Sequence, residues 1–292
     1  MENLSEPLET IAIPLVIFVP AYLRDHHIGD RIVLPAVEAL QIVARSAHAT
    51  GNTDLCRQER AVFRHPLMID SGAAEIPAVH EHARYADGRC LSRLTTLRSG
   101  RQMKFTRRME HLSVWFAPAD REVVGVEADP PPDPVDAGAP EGPAFMVSDS
   151  RLYEELVPFG PAYRNVRGGV LLTPDGISAS VSGGDFPEAE GPLGSPFPLD
   201  AAMHAACAWG QRYRNRVVFP IGFDRREILS PTRAGEIYFC RIRPLPDEGS
   251  VLRFDVCLCG PDRRPFEVIH GLAMKDIFAG RFVPPAWVGE GV

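Results

Sequence analysis

One segment leaves this chain little freedom. In PLDAAMHAACAWGQRYR (residues 198–214), apolar side chains recur at Leu199, Ala202, Met203, Ala206, Trp209 and Tyr213, and alanine fills much of the space between them. The spacing predicts a helix, and a helix apolar around so much of its circumference has to be enclosed by other elements. Helices are a poor source for that enclosure. The chain holds 28 Pro in 292 residues, well above the usual share of about 5%, and each interior Pro costs a helix about 3 kcal/mol. The enclosure is therefore expected to be a curved sheet wrapped around one central helix.

The same arrangement occurs earlier in the chain. PAVEALQIVARSAHA (35–49) carries a stripe of Val37, Leu40, Val43, Ala44 and Ala47, with Pro35 where a helix starts and Gly51 after it ends. Strand candidates follow at 61–69 and 112–117. In the second half they lie at 166–172 and 176–181 before the helix, and at 236–243, 252–259 and 266–274 after it. Between the halves, EADPPPDPVDAGAPEGP (127–143) has almost no large apolar side chain and reads as a semi-rigid linker. The expected organisation is an α+β unit with two antiparallel sheets, each wrapped around a central helix, packed as one pseudo-dimer. Its boundaries are 1–126, a linker at 127–143, and 144–292. No residue-level repeat relates the halves.

Charge and cysteine usage narrow the function classes. A net charge of −7, from 31 basic and 38 acidic residues, argues against a nucleic-acid partner, which calls for a basic surplus. The first apolar run (11–23) is too short to span a bilayer and is interrupted by Pro14 and Pro20, so no membrane partner is expected. Glu2, Glu6 and Glu9 stand where a secretion signal has positive charge. The six cysteines show no Cys-x-x-Cys spacing, and they are expected to be reduced, mostly buried thiols of a cytoplasmic protein. Cys257 and Cys259 fall on one face of their strand candidate. His80-Glu81-His82 places two imidazoles on one strand face. Such a pair could bind metal with His65 or His111, but an exposed polar edge is the plainer account, and no metal is expected. The arginine-rich stretch 98–108 reads as a solvated strand face, its functional alternative being a dock for an acidic carrier protein.

Three segments concentrate chemistry. LRDHHIGDRIVLP (23–35) places His26 and His27 beside acids just before the first helix. VPFGPAYRNVRGG (157–169) sets a Gly-Pro turn between two aromatics. Asp200 and His204 lie four apart, hence on one face, at the start of the second helix. Each has a plain structural reading: a histidine beside a helix start is commonly structural, and an Asp there commonly caps free N–H groups.

In this order and spacing, however, the segments resemble the dehydratase domain of modular polyketide synthases, a double-hotdog fold. The family's His-x-x-x-Gly-x-x-x-x-Pro is matched at His26 and Pro35, with Asp30 at the glycine position and Gly29 one place early. Its Tyr-Gly-Pro-x-Phe is similar to Phe159-Gly160-Pro161-Ala162-Tyr163, which lacks the first hydroxyl. Its Asp-x-x-x-Gln/His is matched by Asp200 and His204, and its Leu-Pro by Phe219-Pro220. The likeness extends from about residue 15 to about residue 278.

The resemblance implies a hydro-lyase acting on β-hydroxyacyl thioesters. The substrate would ride on the phosphopantetheine arm of an acyl carrier protein, with no further cofactor. Other synthase domains or subunits, and a second copy as a homodimer, are the other implied partners. His26 would remove the α-proton, imidazole being a base suited to neutral pH. Asp200 would protonate the departing hydroxyl, which requires the neutral acid; burial favours that form and a helix N-terminus opposes it. His204, Tyr163, Phe159, Gly160, Pro161, Pro35 and Asp30 would support or line the site, with backbone N–H groups near Asp30 or Gly169 polarising the thioester carbonyl. The alternatives are a product-template-like cyclase, a double-bond isomerase, or a non-catalytic scaffold domain.

Overall fold

The computed structural model describes residues 6–51, 53–99, 106–119, 144–246 and 249–290. The linker expected at 127–143 lies outside them, as does the centre of the arginine-rich stretch. Within that stretch Arg108 is exposed and paired with Glu81.

The N-terminal half begins with β1 (Glu9–Phe18), a short 3₁₀ turn (Ala21–Asp25), and the small strands β2 (His27–Ile28) and β3 (Arg31–Val33). Helix α1 (Ala36–His48) follows, then β4 (Thr53–Phe63), β5 (Met68–Ile69), β6 (Glu75–Arg84), β7 (Cys90–Ser99) and β8 (Thr106–Pro118). The C-terminal half has β9 (Phe145–Val147), a single turn α2 (Asp149–Arg151), β10 (Val166–Thr173) and β11 (Gly176–Ser182). Its long helix α3 (Phe197–Arg214) precedes β12 (Phe219–Ile228), β13 (Ile237–Pro244), β14 (Val251–Cys259) and β15 (Pro265–Lys275).

Both helices form where the apolar stripes place them. In α3 every residue from Phe197 to Gln211 is buried, so the enclosure that its composition demands is realised. It stops at Asn215, whose left-handed backbone returns its N–H to the Gly210 carbonyl, a conformation Asn tolerates better than most residues. Helix α1 packs on β4, β6, β7 and β8, and α3 on β10 to β14. Each half thus wraps its own helix, which is the double-hotdog architecture.

The enclosure differs from expectation in one respect. The two sheets are joined into one of twelve strands, ordered β1-β6-β7-β8-β4-β12-β15-β14-β13-β11-β10-β9. Strand β4 pairs antiparallel with β12 across the junction of the halves. At that junction Arg226 on β12 grips Glu267 on β15 through two contacts of 2.7 and 3.1 Å, both side chains being almost wholly buried. Arg226 also reaches Gln58 on β4 at 3.4 Å, so one guanidinium ties three strands from both halves. The candidate strand at 61–69 divides into the end of β4 and β5, because Pro66 between them has no N–H to give a ladder.

Candidate active site

Strands β2 and β3 form a two-residue hairpin, with Ile28 paired to Arg31. Gly29 occupies its first turn position at φ +63°, a conformation that favours glycine. This accounts for a glycine one place early in the motif: the turn needs it there. Asp30 follows in the same turn, exposed. It does not line the cavity described below, which corrects its expected place in the site.

The hairpin fixes His26. The backbone of His26 accepts from the Val33 N–H at 2.9 Å, and its ring Nδ1 lies 2.7 Å from the Val33 carbonyl oxygen. A carbonyl only accepts, so Nδ1 carries the hydrogen and Nε2 keeps the basic lone pair. Burial pushes the imidazole below its ordinary pKa, against a smaller upward pull from Asp200. His26 is therefore neutral at pH 7, in the tautomer of a general base.

The Gly-Pro turn brings the two halves together at this point. The Gly160 N–H donates to the Asp25 carbonyl oxygen at 2.8 Å, and the Ala162 N–H to the Asp25 carboxylate at 2.8 Å. A Cβ on residue 160 would fall 2.5 Å from Asp25 Cγ, so the glycine permits the approach. Pro161 opens the 3₁₀ turn that carries Tyr163. The clamp stacks Phe159 on the His26 ring, with centroids 4.4 Å apart, and sets Phe159 4.8 Å from His204. At the position of the missing hydroxyl this chain has an apolar ring sandwiched between the two histidines. Tyr163 meets His26 edge-on at 5.0 Å and is fully buried. It lies beneath the cavity, not among its lining residues.

Asp200 and His204 project from the first turns of α3, both buried. No side chain caps this helix, so the carboxyl of Asp200 is not consumed as a cap. Its Oδ2 lies 3.0 Å from His204 Nε2 without the alignment of a hydrogen bond, and neither atom has another partner. The Tyr153 hydroxyl accepts from the Val166 N–H at 2.9 Å and meets His204 Nδ1 at 3.4 Å. His204 is thus held from behind, and its Nε2 is turned toward Asp200.

His26, Phe159, Asp200, Met203, His204 and Cys207 line one cavity of about 390 Å³, together with mostly apolar side chains from both halves. Phe219 and Pro220 line it as well. Pro35 precedes α1 and acts behind the wall, holding the entry to that helix. His27, half-buried, contacts the Asp25 carbonyl at 3.1 Å and does not line the cavity. Gly169, the other expected source of a carbonyl-polarising N–H, belongs to β10 and borders a separate surface depression, so that assignment is corrected. Burial pushes the Cys207 thiol up, away from nucleophilic chemistry.

The exposed polar edge expected at His80 and His82 is corrected, because both imidazoles are buried between β6 and its neighbours. His80 and His82 share one face of β6 and hydrogen-bond to Ser46 and Ser92, while His111 contacts Thr96 and the His65 carbonyl. All six cysteines are free thiols. Sequence reasoning missed Asp25, Tyr153, Tyr22 and Glu38. None carried a local signal; Glu38 falls on the side of its helix opposite the Val37, Leu40, Ala44 and Ala47 stripe, and is buried all the same.

No family model matches the chain, and no curated protein sequence matches it. Solved structures do. A dehydratase domain of a trans-acyltransferase polyketide synthase from Brevibacillus brevis is similar at a TM-score of 0.68 and 14% identity, over 94% of this chain and 96% of that one. The dehydratase domain of PpsC from Mycobacterium tuberculosis, in complex with C12:1-CoA, is similar at 0.64 and 17% identity, over 91% and 93%. A bifunctional dehydratase-cyclase domain of ambruticin biosynthesis is similar at 0.61 and 17%, over 91% of each. The chain has the double-hotdog fold of polyketide synthase dehydratase domains.

Proposed function

We propose that this protein is a dehydratase that removes water from a β-hydroxyacyl thioester carried on the phosphopantetheine arm of an acyl carrier protein, in polyketide or related fatty acid biosynthesis. The observation that carries the reading is the convergence of His26 and Asp200, one from each half, on a single mostly apolar cavity. His26 Nε2 takes the α-proton, and the C–H electron pair becomes the new double bond. Asp200 gives its proton to the β-hydroxyl as the C–O bond breaks and water leaves. His204 orients the carboxyl, and Phe159 packs against both imidazoles and keeps water from the base. The apolar lining suits an acyl chain. The work needs no resident cofactor. In this reading the protein works in the cytoplasm beside other synthase domains or subunits, as a homodimer. No helix among the described residues is long and apolar enough to cross a membrane.

The test is turnover of a carrier-bound β-hydroxyacyl substrate, followed by mass spectrometry of the intact acyl carrier protein. Wild type should lose one water per acyl group. His26→Ala and Asp200→Asn should each lose at least about a thousandfold in kcat, the upper range for general acid–base groups, with melting curves retained. Near-full turnover by either variant would overturn the assignment. Likeness to a dehydratase-cyclase gives a second reading. A substrate with a further hydroxyl would then lose water and next close a ring at constant mass, separable by chromatography.

A further inference from the structure

The thiols of Cys257 and Cys259 take no part in the site described above. Both stand on the face of β14 turned away from α3, since Phe254 on the opposite face packs edge-on against Trp209 of that helix and side chains alternate along a strand. Their Sγ atoms lie 3.4 Å apart, so one S–H donates to the other sulfur. Cys257 is half-buried, and Cys259, mostly buried, borders a surface depression of about 450 Å³. Arg167, Arg241 and Arg263 line that depression as well, with the exposed apolar side chains Met146 and Phe239. A small reagent thus reaches the pair from solvent, and the positive charge around it favours a thiolate.

The two sulfurs are not equivalent. The hydrogen that Cys257 donates, with Arg241 on β13 adding to it, holds the Cys259 thiol down to about 7 against burial and the Asp262 charge. Cys257, as the donor, is pushed up. Cys240, in the core beside them, is pushed up by burial and stays a thiol. The backbone allows the pair to close. Two residues of strand span about 6.6 Å, near the upper end of the roughly 4.4–6.8 Å that a disulfide bridges. The strand is easily shortened here: its ladder with β15 shifts register between Leu258 and Cys259, and Cys259 faces Pro265, which has no N–H to pair. We propose that Cys257 and Cys259 are a peroxide-reactive dithiol, a modification site on the outer face of the C-terminal half that closes to an intrachain disulfide. The Cys259 thiolate attacks one peroxide oxygen: an S–O bond forms, the O–O bond breaks, and the departing hydroxide takes up a proton to become water. The Cys257 sulfur then attacks Cys259 Sγ. The S–S bond forms, the S–O bond breaks, and the hydroxyl leaves as water with the Cys257 hydrogen. Two thiols have lost two electrons, and one hydrogen peroxide has been reduced to two waters. None of these steps depends on dehydration.

The experiment uses the intact chain and hydrogen peroxide. Trypsin, cutting after Arg253 and Arg263, releases a peptide of residues 254–263 that holds both cysteines and no others. After brief exposure to peroxide, the remaining thiols are alkylated in denaturant and the peptides weighed. In wild type this peptide should have lost two hydrogens and carry no alkyl group, while the other four cysteines are alkylated and dithiothreitol restores the pair. The oxidation rate should inflect near pH 7, below the value of about 8.5 for an ordinary thiol. Cys257→Ser should stop at a sulfenic acid on Cys259, trapped by dimedone, and Cys259→Ser should leave Cys257 unoxidised under the same exposure. Melting curves report folding of both variants, and the wild-type measurement needs neither. A peptide that keeps two alkyl groups, or that is oxidised no faster in the folded protein than in urea, overturns the dithiol. Oxidation of Cys257 in Cys259→Ser at the wild-type rate overturns Cys259 as the attacking sulfur.

Discussion

His26 Nδ1 sits 2.7 Å from the carbonyl oxygen of Val33, so seven residues of chain, closed by a small hairpin, decide which nitrogen of the base is free. Burial lowers that imidazole's pKa and keeps it uncharged at neutral pH. The base is active when neutral, so the acid limb of kcat/KM is expected below pH 6.5. Nitrogen-15 spectra should show the hydrogen on Nδ1. An acid limb above 6.5, or an Nε2–H tautomer, would contradict this arrangement.

The Asp25–Gly160 contact is the joint that places Phe159 on His26. Replacing Gly160 with Ala puts a Cβ 2.5 Å from Asp25 Cγ, far inside the contact distance of two non-bonded carbons, so the turn has to move away from the base. We expect kcat/KM for dehydration to fall at least about tenfold in Gly160→Ala, because misplacement by an ångström is enough for such losses. Asp25→Ala removes the acceptor of the Ala162 N–H and should cost about 1–3 kcal/mol in denaturant unfolding. Wild-type behaviour of both variants would show that the joint is not what aligns the site.

Much of this was legible in the sequence, for reasons that differ by element. Helix α3 was legible because nearly all of its surface is apolar, and a helix of that kind has one fate. The convergence of His26, Asp200 and His204 on one cavity was anticipated by motif spacing, His26 standing just before β2 and Asp200 in the first turn of α3. Strand β12 was not, because FPIGFDRREI mixes charges with apolar residues. Its inner Arg226 is accommodated by Glu267, a partner 41 residues away that no local pattern reveals. For the same reason the joining of the two sheets could not be read. Asp30 was misjudged because motif spacing records sequence distance, while the hairpin turn aims that residue at solvent. Tyr153 and Tyr22 join the site only through tertiary packing.

The buried Arg226–Glu267 pair gives a prediction about the junction of the halves. Removing one partner leaves a charge stranded among β4, β12 and β15. Arg226→Ala or Glu267→Ala should therefore each cost about 3–5 kcal/mol. The double variant Arg226→Met/Glu267→Leu strands neither charge and should cost much less than the sum. Urea unfolding of the three proteins checks this, and additive losses would show that the pair's charges are not coupled.

The histidine pair of β6 predicts how stability depends on pH. His80 is fully buried, with Nδ1 2.7 Å from Ser46 Oγ and Nε2 2.9 Å from Ser92 Oγ, and Ser92 Oγ also lies 3.0 Å from His82 Nδ1. A neutral imidazole needs one donor and one acceptor nitrogen, and Ser92 has a single hydrogen to give. Protonating either ring adds a donor where an acceptor was required and buries a charge, which the Glu9 carboxylate offsets in part for His82 and nothing offsets for His80. Burial accordingly pushes His80 down to about 4, and lowers His82 as well. The unfolded chain takes up these protons near pH 6.5, and the folded one resists them. Stability is thus full above pH 6.5, falls as the pH drops from there, and levels off near pH 4 once the folded protein protonates His80 too. For His80 alone the loss across that window is about 3 kcal/mol. Urea melts of wild type should show the decline between pH 7.5 and pH 4.5, and His80→Gln should flatten it even though that variant starts from lower stability. A flat wild-type profile, or an unchanged slope in His80→Gln, would mean that the pair is protonated in the folded state.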